Sequence, residues 1–181
     1  MKLLILYGTT EGQTNKIAHF IATLLQNLGH IVTISDTTAE PPAPTKCDAV
    51  LIGSSIHMHK YQSAVKHYIK KHINELNQIP GAFFSVSLAA ASNVADEHCK
   101  VQKITTDFLE ETGWQPLLTS QIAGALKYIE YDYFKRLVMK MISKREGGAT
   151  DTSQDYEFTN WDEVTAFVNE FLNKISQKNK L

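Results

Sequence analysis

The residues with the clearest chemistry stand near the start of the chain. The stretch LYGTTEGQT, Leu6 to Thr14, sets three hydroxyls (Thr9, Thr10, Thr14) and two glycines between an apolar run and a helical pattern. A loop leading from a strand into a helix aims backbone N–H groups and the positive end of the helix dipole at the sheet edge. That arrangement attracts anions, phosphate above all. Gly12 lets the backbone approach such a ligand closely, and the threonines add donors. The loop has no lysine, unlike the GxxxxGKS loops that take nucleotide triphosphates, and the chain has no GxGxxG. Hydroxyls and amides alone suit one terminal phosphate better than a triphosphate with magnesium. The same residue types also make an ordinary capped helix start, and composition alone favours that plainer reading. Glu11 is unhelpful beside a phosphate and is expected to turn to water.

Two other groups could do chemistry. His57 and His59 stand beside Lys60 in GSSIHMHKY, Gly53 to Tyr61. They can move protons near neutral pH or stand as solvated loop residues. With no third ligand in view they do not make a metal site. Neither this loop nor SVSLAAAS, Ser85 to Ser92, contains an acidic residue. The second group is YDYFKRLVMKMISKR, Tyr131 to Arg145. Phe134, Leu137, Val138, Met141 and Ile142 have helical spacing, and Lys135, Arg136, Lys140, Lys144 and Arg145 fall mostly on the other side. From Lys127 to Arg145 six basic residues face two acidic ones, a local net of +4 in a chain of −1. Such a helix can lie on an anionic membrane surface. Its apolar stripe can equally pack on the domain or on a second subunit, as most amphipathic helices do.

The elements that must position these residues are legible as an alternation. Leu3–Tyr7, HIVTIS, AVLIGSS, GAFFSVSLAA and LLTSQIAGAL read as five strands, the first and third as apolar throughout as strands buried on both faces. Between and after them, Asn15–Leu28 (stopped by Gly29), SAVKHYIKKHINEL, Val94–Glu111 (ended by Gly113) and WDEVTAFVNEFLNKI (capped by Asn160) read as helices. DTTAEPPAPTKCD, with three prolines, is a loop. Strict β/α alternation predicts a doubly wound α/β fold, a parallel sheet of order 2-1-3-4-5 with a ligand site at the strands' carboxyl ends. Residues 127–158 are too long for a simple connection and are expected to be an insertion after the fifth strand. The expected organisation is one domain over 1–176 and a tail at 177–181.

Composition bounds the function. The chain has 181 residues, 43% hydrophobic and 20% charged, enough for one domain with a proper core. A net charge of −1 argues against a nucleic-acid binder. Cys47 and Cys99 lie far apart, which suggests a reducing compartment and no zinc site. No segment is long enough for a signal peptide or a membrane span, so the expected location is cytoplasmic.

Residues ILYGTTEGQTNKIAHFI resemble the flavodoxin signature. Ile5, Leu6 and Tyr7 supply its apolar and aromatic positions, Thr9 its hydroxyl, Gly12 its small residue and Thr14 its threonine, with Ala18 and Ile21 at the expected offsets. The resemblance implies a flavodoxin-like fold and FMN as cofactor, its phosphate held by Thr9, Thr10, Gly12, Gln13 and Thr14. It places the flavin ring between the loops after the third and fourth strands, at Ser54, Ser55, Ile56 and His57 and at Ser85, Val86, Ser87 and Leu88. Those loops lack the tryptophan and the acids usual in electron-carrier flavodoxins. Neutral or positive surroundings favour an anionic reduced flavin, and hence hydride chemistry.

From end to end the chain further resembles the menaquinone-dependent protoporphyrinogen IX dehydrogenases of bacterial haem biosynthesis. The resemblance runs through EGQT, IGSSIHMHKYQSAVKHYIKKH, FFSVSLAA, IAGALKYIEYDYFKRLVMKMISK, GGATDT and TNWDEV. It departs at His57 and Met58, where such proteins carry an arginine and a tyrosine. It implies oxidation of protoporphyrinogen IX to protoporphyrin IX, with electrons passed through FMN to the quinone pool. It also implies peripheral contact with the inner membrane. Candidate partners for the substrate's propionates, or for the membrane, are Lys60, Lys127, Lys135, Arg136, Lys140 and Lys144. Candidates for a general base are His57, His59 and Tyr128. The competing readings are an NAD(P)H quinone reductase of the same fold and an FMN electron-transfer module without its own substrate. A phosphate-accepting receiver domain is weaker, since no acidic pair follows the first strand.

Overall fold

The computed structural model describes residues 1–92, 95–126 and 156–178. Five parallel strands form one sheet: β1 (Lys2–Gly8), β2 (Ile31–Asp36), β3 (Ala49–Ser55), β4 (Gly81–Ser87) and β5 (Leu118–Ala123), in the order β2-β1-β3-β4-β5. The predicted sheet order therefore holds. Period-two alternation sorts the side chains of β1 onto two faces. Leu3, Ile5 and Tyr7 enter a core with α1 (Gln13–Asn27) and the C-terminal helix Trp161–Lys178. Leu4 and Leu6 enter a second core with α2 (Ser63–Lys71) and α4 (Ala95–Thr112). Helices cover both faces, which is why β1, β3 and β4 are apolar nearly throughout. Each large aliphatic or aromatic side chain removed from water in this way contributes about 1.5–3 kcal/mol.

The register decides where a site can form. Gly8 pairs with Ser54, Ser55 with Val86, and Ser87 with Ala123. The carboxyl ends of four strands thus lie side by side, and the loops that leave them share one edge.

Some boundaries differ from expectation. α1 begins at Gln13 rather than Asn15, because Gly12 is its N-cap at φ +90°, a left-handed backbone that suits glycine. The helix expected over residues 63–76 is broken at His72 (φ −115°, ψ 25°), and α3 (Ile73–Leu76) follows as a separate turn. The proline-rich loop holds a short 3₁₀ turn at Pro44–Lys46. The C-terminal helix, α5, is capped as expected: Asn160 Oδ1 accepts from the N–H groups of Asp162 (3.1 Å) and Glu163 (3.3 Å). Just before it, β6 (Ala125–Leu126) and β7 (Tyr156–Glu157) pair antiparallel, joining the two ends of the inserted stretch. The basic helix expected at Tyr131–Arg145, and with it Lys127, Tyr128, Lys135, Arg136, Lys140 and Lys144, lies outside the described residues.

Candidate functional site

The first wall of the site is the turn from β1 into α1. The first i→i−4 bond of α1 runs from Lys16 N–H to the Gly12 carbonyl at 3.1 Å. The N–H groups of Gln13, Thr14 and Asn15 precede it and have no partner within the helix. They point, with the positive helix end, towards the sheet edge. The three threonines have separate roles. Thr9 Oγ1 accepts the Gly12 N–H at 2.8 Å, closing the loop and leaving its own proton to donate. Thr10 is exposed, accepts from Gln62 Nε2 at 3.1 Å and lies 3.4 Å from Ser55 Oγ. Thr14 is 1% exposed, and its hydroxyl has no hydrogen-bond partner among the described residues.

Gln13 lines the cleft, and its side chain is also engaged across the fold. Its side-chain amide donates to Thr159 Oγ1 at 2.8 Å, and Thr159 in turn donates to the Ala123 carbonyl at 2.7 Å. Its side chain thus fastens α1 to the end of β5, and what it offers an anion is its backbone N–H. Glu11 is exposed, and it also lines the cleft beside Thr10 rather than standing clear of it.

Ser55 at the end of β3 with Ile56 and His57 after it, and Val86 and Ser87 at the end of β4 with Leu88 after it, face the Thr9–Thr14 loop across one cleft. Gly124 and Ala125 complete the lining beyond β5. Ser54 and Ser85 do not reach it. Both are wholly buried in the sheet, and Ser85 accepts a bond from Tyr61. The Ser87 hydroxyl accepts the Ala90 N–H at 3.2 Å and shapes the following turn. His57, His59 and Lys60 are exposed in a tight turn closed by two backbone bonds, His57 N–H to Lys60 O (2.9 Å) and Lys60 N–H to His57 O (3.0 Å). Only His57 of these three lines the cleft.

The residues present fit FMN. A buried hydroxyl without a partner normally costs about 1–3 kcal/mol. A phosphate seated at the start of α1 would relieve that at Thr14 while meeting the free amides of the first turn. Sequence reasoning found three of the four walls. It missed Gly124 and Ala125, although a glycine directly after the last strand of a parallel sheet is a usable signal. Nothing local marked Thr159, which acts across 146 positions of sequence.

Residues 4–153 match the flavodoxin domain family. The chain is 37% identical over 171 residues to the protoporphyrinogen IX dehydrogenase [quinone] of Escherichia coli K12, an alignment covering 94% of each protein. It is 35% identical over 175 residues to the protein of the same name from Leishmania major, covering 94% of this chain and 74% of that one. Among solved structures, oxidised flavodoxin 1 from Bacillus cereus superposes with a TM-score of 0.52 at 16% identity, over 82% of this chain and 100% of that one. That likeness concerns the fold. Joined with the end-to-end alignments, it places this chain in the flavodoxin-fold family of protoporphyrinogen IX dehydrogenases [quinone].

Proposed function

We propose that this chain binds FMN in the cleft and oxidises protoporphyrinogen IX to protoporphyrin IX, removing six electrons and six protons in three two-electron rounds, with each pair of electrons passed to one menaquinone. The observation that carries the cofactor reading is the buried Thr14 hydroxyl, which has no partner among the described residues, beside the first-turn amides of α1. The substrate reading rests on relatives so named that align over 94% of the chain.

FMN, when bound, supplies the two-electron chemistry. The chain's own residues bind and orient. Thr9, Thr14 and the amides of Gln13–Asn15 take the phosphate. Ser55–His57 and Val86–Leu88 border the ring from two sides. Lys60, exposed in the turn that begins at His57, would meet the substrate's carboxylates. His57, which lines the cleft, is the best-placed described group to hold or move a proton, and Tyr128 is a second candidate from the sequence.

Among the described residues no helix is long and apolar enough to cross a membrane. Menaquinone is confined to the bilayer, so access requires peripheral contact. The basic stretch with Lys127, Lys135, Arg136, Lys140 and Lys144 is the proposed contact, in a protein otherwise on the cytoplasmic side of the inner membrane.

The test is anaerobic. Purified protein is loaded with FMN and mixed with protoporphyrinogen IX, then with menaquinone. Bleaching of the flavin by the first and its recovery with the second are expected. Reduction by NADPH but not by the porphyrinogen overturns the substrate reading. Reoxidation by a small redox protein but not by menaquinone overturns the acceptor.

A further inference from the structure

Between Ile56 and Tyr61 the chain leaves the sheet and returns, and both ends of the excursion are fastened to adjacent residues of β4. On the way out, Ile56 N–H donates to the Val86 carbonyl at 2.9 Å. On the way back, Tyr61 Oη donates to Ser85 Oγ at 2.8 Å and lies 2.7 Å from Thr105 Oγ1 on α4. Gln121 Nε2 on β5 donates to that same Thr105 oxygen at 2.7 Å. The Tyr61 ring packs edge-on against Phe83 (5.2 Å between centroids) and tilted against Phe108 (4.6 Å). Burial pushes the phenol above its ordinary value near 10, so it remains a donor throughout the neutral range.

What lies between the two fastenings is strained. Met58 (φ 48°) and His59 (φ 61°) both sit in the left-handed region. Two consecutive left-handed residues make the mirror-image turn that asparagine and glycine favour and ordinary side chains resist. Such a conformation persists only where its surroundings over-determine it. Met58 gains little there from packing, since it is 80% exposed. The turn begins at His57, on the wall of the cleft.

We propose that Tyr61 is a positioning residue: its hydroxyl, pinned between Ser85 and Thr105, holds the strained His57–Lys60 turn in place at the cleft and so sets the position of His57 and Lys60 toward the substrate. This deepens the functional reading above and rests on it for the identity of the substrate. The hold on the turn itself does not depend on that reading.

The experiment has two readouts on the FMN-loaded protein. The first is amide hydrogen exchange at His57 and Lys60, whose N–H groups close the turn; it needs no substrate. Tyr61→Phe keeps the ring contacts and removes the hydroxyl. Protection at both amides is expected to fall at least tenfold. Adding Met58→Asn, a residue that accepts the left-handed region, is expected to restore most of it, because the turn then needs less restraint. Thr105→Val, which removes one partner and keeps Tyr61, gives the same loss should Tyr61→Phe fold poorly. Thr112→Val is the control: it deletes a buried hydroxyl bonded within α4, to the Phe108 carbonyl, and leaves the turn protected. A loss under tenfold in both network variants overturns the proposal. So does a loss that Met58→Asn leaves unrescued, or one that Thr112→Val matches. The second readout is steady-state oxidation of protoporphyrinogen IX. Tyr61→Phe is expected to raise KM about fivefold with kcat within twofold, and a fall in kcat alone counts against positioning. Wild-type protein that never oxidises the porphyrinogen refutes the functional reading while the exchange result stands on its own.

Discussion

Replacing Thr14 by valine separates a phosphate pocket from an ordinary helix start, because the two readings predict opposite effects. The Thr14 hydroxyl is 1% exposed with no partner among the described residues. An unsatisfied buried hydroxyl costs about 1–3 kcal/mol. Exchanging it for a methyl group of nearly the same shape should therefore stabilise FMN-free protein by about 1 kcal/mol. In a chain of this size that raises Tm by about 2–4 °C. Binding should move the other way. A hydrogen bond to a charged phosphate contributes about 1.5–3 kcal/mol, so FMN affinity should fall roughly 10- to 150-fold. Thr9→Val is the internal comparison. Its oxygen already accepts the Gly12 N–H at 2.8 Å. Its loss should weaken FMN binding and also lower free-protein stability by about 1 kcal/mol, since it strands an amide. Flavin fluorescence titration gives the affinities and thermal melts of FMN-free protein give the stabilities. If Thr14→Val leaves FMN affinity within threefold of wild type, the loop assignment is wrong. If it lowers the free-protein Tm, Thr14 is satisfied in the fold and the reasoning from its burial fails.

Three further outcomes are expected. Gly12→Ala puts a side chain at φ +90°, which should cost about 1–2 kcal/mol of stability and weaken FMN binding together with it; unchanged melting refutes the left-handed cap. Tyr68 is 4% exposed, donates to the Pro42 carbonyl at 2.7 Å, and has its phenol raised well above 10, chiefly by burial. A raised folded pKa means its stabilisation is complete below pH 10 and is lost as pH rises above it, by up to about 1.4 kcal/mol per pH unit. Tyr68→Phe should thus be about 1 kcal/mol less stable at pH 8 and converge on wild type by about pH 11 in urea melts; parallel curves refute this. Replacing Lys135, Arg136, Lys140 and Lys144 with glutamine should release the protein from anionic vesicles, at about 1 kcal/mol per charge. It should also slow turnover with membrane-embedded quinone while sparing a water-soluble analogue; full vesicle binding by the variant refutes the proposed contact.

The sheet was legible because burial on two faces leaves a dense signal. β1 (from Leu3), β3 and β4 are buried almost throughout and apolar but for serines towards the ends of β3 and β4, as strands sandwiched between helix layers must be. The break at His72 was not legible, for a definite reason. Val65, Tyr68, Ile69, Ile73 and Leu76 keep helical spacing straight across it, and all of them pack into one core. A periodic pattern records which side of the chain is buried and is blind to a local backbone excursion that preserves that side. The start of α1 was misplaced by two residues because a glycine N-cap offers no side chain to announce itself.

The site was legible as loops and opaque as contacts. The first wall followed from the residues of the Thr9–Thr14 loop, and the loops after the third and fourth strands followed from the resemblance to flavodoxins. The partners do not follow, since Gln13 with Thr159 and Tyr61 with Ser85 and Thr105 are bonds made across 146, 24 and 44 positions. The deeper limit concerns the hydroxyls. In sequence, Thr9, Thr10 and Thr14 are three equal donors. In the fold, Thr9 is engaged with Gly12, Thr10 is solvated and already bonded to Gln62, and Thr14, alone of the three, is buried with no partner among the described residues. A donor that water already satisfies gains little from a ligand, whereas a desolvated donor gains nearly the whole bond. Affinity for the phosphate should therefore concentrate on Thr14 and the first-turn amides, with Thr10 contributing least. Thr10→Val should change FMN affinity by less than threefold, measured in the same titration that shows a tenfold or greater loss in Thr14→Val. Equal losses at the two positions would mean that the count of hydroxyls, and not their burial, governs the site.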